Sequence, residues 1–116
     1  MSARNREIVE KVNSAFAENN LEGFLMFCTD DVTWTMVGNK TVKGKGAIRQ
    51  WMASMDFEPP KFTVDALIAE GDFVAAHGDM TMKEDGDDVP YSYCDIYRFQ
   101  GEKIAGLKSF VIKTGM

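Results

Sequence analysis

From Lys61 to the C-terminal end, the chain is a succession of strand-forming stretches broken only by short turns. The stretches run over 61–69, 73–83, 89–100 and 103–113, and the breaks between them are Gly71-Asp72, Glu84 to Asp88 and Gly101-Glu102. Connections this short leave no room for a crossover, so consecutive strands must pair antiparallel as a meander. Such a sheet has to bury one face. The material to cover it lies upstream, where the apolar spacing changes from two to three or four.

Between Ala3 and Asn19, the residues Ile8, Val12, Ala15 and Phe16 form a helical stripe, and Asn19-Asn20 interrupts it. Leu21, Phe24, Leu25 and Cys28 give a second, shorter stripe that ends at Thr29-Asp30-Asp31. A strand is predicted over Val32 to Val37, with Trp34 and Met36 on one face and Thr33 and Thr35 on the other. A third helix follows Gly44-Lys45-Gly46, burying Ala47, Ile48, Trp51, Met52 and Met55 until Glu58-Pro59-Pro60 stops it. The predicted fold is α+β. Three N-terminal helices pack on the concave face of a strongly curved, mainly antiparallel sheet, in a single domain over residues 1–116.

Charge and motifs exclude several functions. Eighteen acids against thirteen bases leave a net charge of −5 without a basic stripe, so no nucleic-acid partner is expected. The polar N-terminal segment contains no apolar span for a leader or membrane anchor, which predicts a cytoplasmic protein with no membrane partner. Cys28 and Cys94 lack CxxC spacing and read as reduced thiols. Glu84, Asp85, Asp87 and Asp88 lack the ligand spacing of a calcium loop, so no metal is expected. Gly44-Lys45-Gly46 lacks the Lys-Ser/Thr pair of a phosphate loop. No cofactor is expected.

Three stretches together resemble one family. Asp30-Asp31-Val32-Thr33-Trp34 with Gly44-Lys45-Gly46-Ala47-Ile48, then Glu70-Gly71-Asp72-Phe73-Val74, then Asp95-Ile96-Tyr97-Arg98-Phe99 with Lys103-Ile104 are similar to the SnoaL-like pattern, in order and over nearly the whole chain. The resemblance implies the cone of the nuclear-transport-factor-2-like superfamily, often dimeric through the outer face of its sheet. That superfamily includes steroid isomerases, polyketide cyclases, dehydratases, epoxide hydrolases and binding domains, so it implies a pocket for a small apolar molecule rather than one reaction.

Transferred onto this chain, the base and two donors of ketosteroid isomerases fall on Met36, Val12 and Asp95, so only the acidic donor is retained. The nearest set to the epoxide hydrolases is Asp79, Asp95 and His77. With Asp95 pointing inward, strand alternation brings Tyr91, Tyr93 and Tyr97 to the same side. The isomerase resemblance adds His77, Asp79 and Thr81. His77, the lone histidine, is then the expected base, Asp95 the expected acid, and Tyr93 a hydroxyl donor. Alternation and the isomerase cavity together predict a wall of Val12, Trp34, Met36, Trp51, Leu107, Ser109 and Val111. Val74, Ala76, Met80 and Met82, with Ser92, Cys94 and Ile96, are left for the outer face and a homodimer contact. The expected activity is cofactor-independent isomerisation, cyclisation or dehydration, with a noncatalytic ligand-binding or dimerisation module as the competing reading and epoxide-hydrolase-like activation of a water by His77, Asp79 and Asp95 as a further one.

Overall fold

A computed structural model describes residues 2–54 and 61–114. Three helices, α1 (Ser2–Ala17), α2 (Glu22–Leu25) and α3 (Lys45–Ser54), accompany seven strands. These are β1 (Cys28–Met36), β2 (Lys40–Lys43), β3 (Lys61–Phe62), β4 (Ala66–Glu70), β5 (Phe73–Glu84), β6 (Asp87–Gln100) and β7 (Lys103–Lys113). The sheet runs β2-β1-β7-β6-β5-β3, with β4 also on β5, and every pair is antiparallel except β1 with β7. The architecture is the predicted α+β one, with helices against one face of a curved sheet. Met55, expected in the buried stripe of the third helix, and Glu58-Pro59-Pro60, expected to stop it, lie outside the described residues.

The first helix ends as its sequence requires. Asn19 takes a left-handed conformation (φ 56°), and the Asn20 amide returns to the Ala15 carbonyl at 2.8 Å. This closes the helix in the Schellman manner. The turned chain lays α2 directly on α1, where Gly23 lies so near that an added Cβ would stand 2.7 Å from the Ala15 Cβ. Ile8, Val9, Val12, Phe24 and Leu25 are thereby almost wholly buried against Val32, Trp34, Val74, Tyr97 and Leu107 of the sheet. Burying side chains of this size contributes about 1.5–3 kcal/mol each, and this joint core attaches the helices to the concave face.

Two strands differ from the sequence reading. A short edge strand, β2, pairs with β1 where only a turn and loop were expected, because Val42 fills a buried position beside Trp34. The expected strand over 61–69 is split. Phe62 pairs with Met80 and Ala66 with His77, so three residues of one strand face two of the other. That extra residue is a bulge, which bends the strand and tightens the cone. Gly78 permits it, since a Cβ there would lie 2.0 Å from the Thr63 carbonyl oxygen.

The register of the long β5–β6 hairpin decides which side chains face inward. Glu84 pairs with Asp87 around a two-residue turn, Asp85-Gly86, in which both residues have positive φ (53° and 86°). This tight turn sets Ala76 opposite Asp95, Gly78 opposite Tyr93 and His77 opposite Cys94. Directly paired residues share a face. Val74, Ala76, Gly78, Met80 and Met82 therefore lie on the concave face with Asp95, and His77, Asp79 and Thr81 on the outer one, reversing the expectation for both sets. Val74 and Ala76 are fully buried, whereas His77 and Asp79 are exposed. The outer face instead carries Ala75, His77 and Asp79 beside Ser92, Cys94 and Ile96.

Candidate functional site on the concave face

The concave face is organised in rows across the sheet. One row runs Val42, Trp34, Leu107, Tyr97, Val74 and forms the floor. The next runs Lys40, Met36, Ser109, Asp95, Ala76. A third sets Val111 beside Tyr93 and Gly78.

Asp95 lies at the centre of the second row. Burial pushes its carboxyl up to about 6, and a hydrogen bond with Ser109 acts in the opposite direction. The Ser109 hydroxyl is itself buried and accepts a 3.0 Å hydrogen bond from the Trp34 indole nitrogen. With its lone pair engaged by Trp34, that hydroxyl has its own proton free to donate to Asp95. Trp34 is held in turn by three rings, those of Phe16, Phe24 and Trp51, with centroids 5.8, 5.5 and 5.4 Å away. A desolvated carboxyl is thus fixed by a hydroxyl, an indole and an aromatic cluster contributed by α1, α2 and α3. A carboxyl balanced near neutrality can give or take a proton with little bias.

The remaining candidates separate. His77 is exposed on the opposite face from Asp95 and does not join the site. Asp79 shares that outer face and accepts a hydrogen bond from Ser92 at 2.9 Å. The proposed combination of His77, Asp79 and Asp95 around one water is therefore not assembled. Tyr93 is on the inner face, but its hydroxyl donates to the Thr63 carbonyl at 2.6 Å and secures the bulge. Burial pushes its phenol up to about 12, aided by Asp95, Asp65 and Asp79. Tyr91 bonds Glu84 at the hairpin end, away from the row of Asp95. Val12, Leu107 and Tyr97 are packed into the core beneath the site, whereas Met36, Trp51 and Val111 remain half-buried.

Tyr97 is fully buried, and among the described residues its hydroxyl has no hydrogen-bond partner. Burial, then Asp95, Tyr93 and Cys28, hold that phenol well above its usual range. Burial pushes the Cys28 thiol up to about 12, which disfavours its thiolate, and the thiol donates to the Phe24 carbonyl at 3.3 Å. Among the described residues, no three His, Cys, Asp or Glu side chains gather as a metal site. No helix among them is long and apolar enough to cross a membrane.

The sequence reading placed Ser109 in the wall but missed its link between Trp34 and Asp95. Alternation assigns each residue a face without saying which polar atoms on that face meet. It also missed Lys40, because the strand that carries it is only four residues long.

Comparison with known proteins agrees with this architecture. No curated protein matches the sequence. Among solved structures, an NTF2-like protein of unknown function from Cytophaga hutchinsonii is 24% identical, with a TM-score of 0.77 over 92% of this chain and 98% of that one. A candidate SnoaL-like polyketide cyclase from a Jannaschia species is 15% identical, with a TM-score of 0.84 over 95% and 86% of the two chains. An epoxide hydrolase from M. tuberculosis is 13% identical, with a TM-score of 0.79 over 95% and 84%. At these identities the likeness establishes a shared fold. The family model for the SnoaL-like domain matches residues 9–107, and the chain belongs to the SnoaL-like family.

Proposed function

We propose that this protein binds a small, largely apolar molecule on its concave face, and that Asp95 carries the proton in cofactor-independent acid/base chemistry on a carbonyl or hydroxyl of that molecule. The observation that supports this reading is the Asp95 carboxyl, raised to about 6 by burial and fixed through Ser109 and Trp34. Isomerisation, cyclisation and dehydration each need a group that alternates between acid and base, and one carboxyl near neutrality suffices. Half-buried Met36, Trp51 and Val111 provide an adaptable apolar rim. Two free cysteines fit a cytoplasmic location.

The protein acts as a homodimer in this reading. Ile68, Phe73 and Ile112 stand 59%, 50% and 67% exposed on the outer face, beside half-buried Ile96 and Phe110. An apolar surface of this kind favours burial against a second copy.

The test is a thermal-shift screen against steroids, polyketides, terpenoids and aromatic acids, followed by mass spectrometry of the stabilising compounds after incubation. Conversion by the wild type that is lost in Asp95→Asn supports the acid/base role. Stabilisation without conversion assigns the concave face to ligand binding alone.

A further inference from the structure

The row that holds Asp95 ends at the sheet edge in a cation. Lys40 on β2 is opposite Met36, Met36 is opposite Ser109, and Ser109 is opposite Asp95. Directly paired residues share a face, so Lys40 belongs to the concave side, three strands from the carboxyl. At about 4.8 Å per strand, their Cα atoms are separated by about 14 Å. The Lys40 ammonium is 5.9 Å from the centroid of the Trp51 ring, which stands edge-on to Trp34. A groove opens at this point between β2 and α3, bordered by Lys40, Val42, Lys43, Gln50, Trp51 and Ser54. Among the described residues, no carboxylate pairs with Lys40. Among the described residues the groove is thus lined by lysines and no carboxylate, in a chain whose net charge is −5.

We propose that Lys40 is a specificity residue of the concave site, holding the carboxylate of an apolar acid whose opposite end, a hydroxyl or carbonyl, reaches Asp95. The inference rests on the small-molecule reading of that face and narrows its ligand to a class. A rigid, fused-ring acid suits the row, because Met36 and Trp51 offer apolar surface between the two polar ends. Lys40 is exposed beside the Trp51 indole, so its ammonium is open to an anion that reaches the groove.

The probes are 6-hydroxy-2-naphthoic acid and its methyl ester, which differ in the charge at one end. Their affinities are measured by calorimetry for the wild type, Lys40→Met, Lys40→Arg and Asp95→Asn, with circular dichroism to verify folding. The acid is expected to bind about 3- to 5-fold more tightly than the ester, the range of a partly exposed ion pair. Lys40→Met, which keeps an apolar stem on Trp51, abolishes this difference without weakening the ester, and Lys40→Arg preserves it. Raising the salt concentration narrows the difference in the wild type. Asp95→Asn changes acid and ester affinities in parallel. Equal binding of acid and ester, or a preference that survives in Lys40→Met, overturns the role of Lys40 and leaves the pocket reading intact. Binding of neither probe to the wild type counts against the pocket itself and overturns the inference with it.

Discussion

The Trp34 indole nitrogen donates to the Ser109 hydroxyl at 3.0 Å across 75 residues of sequence. This bond joins the aromatic cluster of the three helices to the last strand, next to Asp95. The hydroxyl consequently mediates between a packing element and an ionisable one, so disturbing it has both a stability and a protonation effect.

Ser109→Ala should raise the Asp95 carboxyl above its present value of about 6, because the hydrogen bond it loses favours the anion. It should also lower stability by about 1–3 kcal/mol, since the buried Trp34 N–H is left without an acceptor. Carboxyl carbon NMR over a pH titration and denaturant unfolding measure the two effects. An unchanged or lower Asp95 midpoint would show that Ser109 does not govern it.

Stability should fall with rising pH through the window set by Asp95. An aspartate titrates near 3.9 in an unfolded chain, and in the folded protein this one titrates at about 6. The native state therefore holds the extra proton between those values, and its stability relative to Asp95→Asn declines from about pH 4 to about pH 6. Above that window the penalty is complete, amounting to at most roughly 3 kcal/mol. Glu22, Glu84 and Asp88 are held low by their partners and act in the opposite sense at lower pH, but they are common to both proteins. Melting temperatures of the wild type and Asp95→Asn from pH 4 to 8 should diverge in favour of the variant, and parallel curves would reject a desolvated Asp95.

Gly78→Ala should destabilise the fold by about 1–3 kcal/mol or more, the range for overpacking. The new Cβ meets the Thr63 carbonyl oxygen, which also accepts the Tyr93 hydroxyl. Backbone cannot rotate away as a side chain can, so the bulge must shift. A denaturation midpoint within error of the wild type would show that the bulge is not in this close contact.

Changes on the outer face should leave ligand binding intact. His77→Ala is expected to alter stability by no more than about 0.5 kcal/mol, and to leave the affinity for any ligand found by screening unchanged. Ile112→Asp should convert a dimer of twice 13.0 kDa into monomers, as read by sedimentation. A wild type that sediments as a monomer at micromolar concentration would exclude the dimer, and a weakened ligand in His77→Ala would return that residue to the site.

Local sequence was sufficient for much of this protein. Periodicity located α1, α3 and the four late strand regions, and alternation placed Trp34, Met36, Asp95 and Ser109 on one face. The position of His77 was legible too, because Asp85-Gly86 is a strong signal for a two-residue hairpin turn, and that turn alone sets His77 opposite Cys94. Treating Glu84 to Asp88 as a longer loop left the register open and let the isomerase resemblance decide it wrongly. Other features had no local signal. The bulge at 63–65 depends on Gly78, and β2 forms because Val42 finds a buried place beside Trp34. The link from Trp34 through Ser109 to Asp95, and the row from Asp95 to Lys40, join residues separated by up to 75 positions. Propensity and periodicity act over a few neighbours, so they assign each strand its type and faces. Only the assembled sheet, with the helices packed on it, sets which polar atoms meet and how far water is excluded from them.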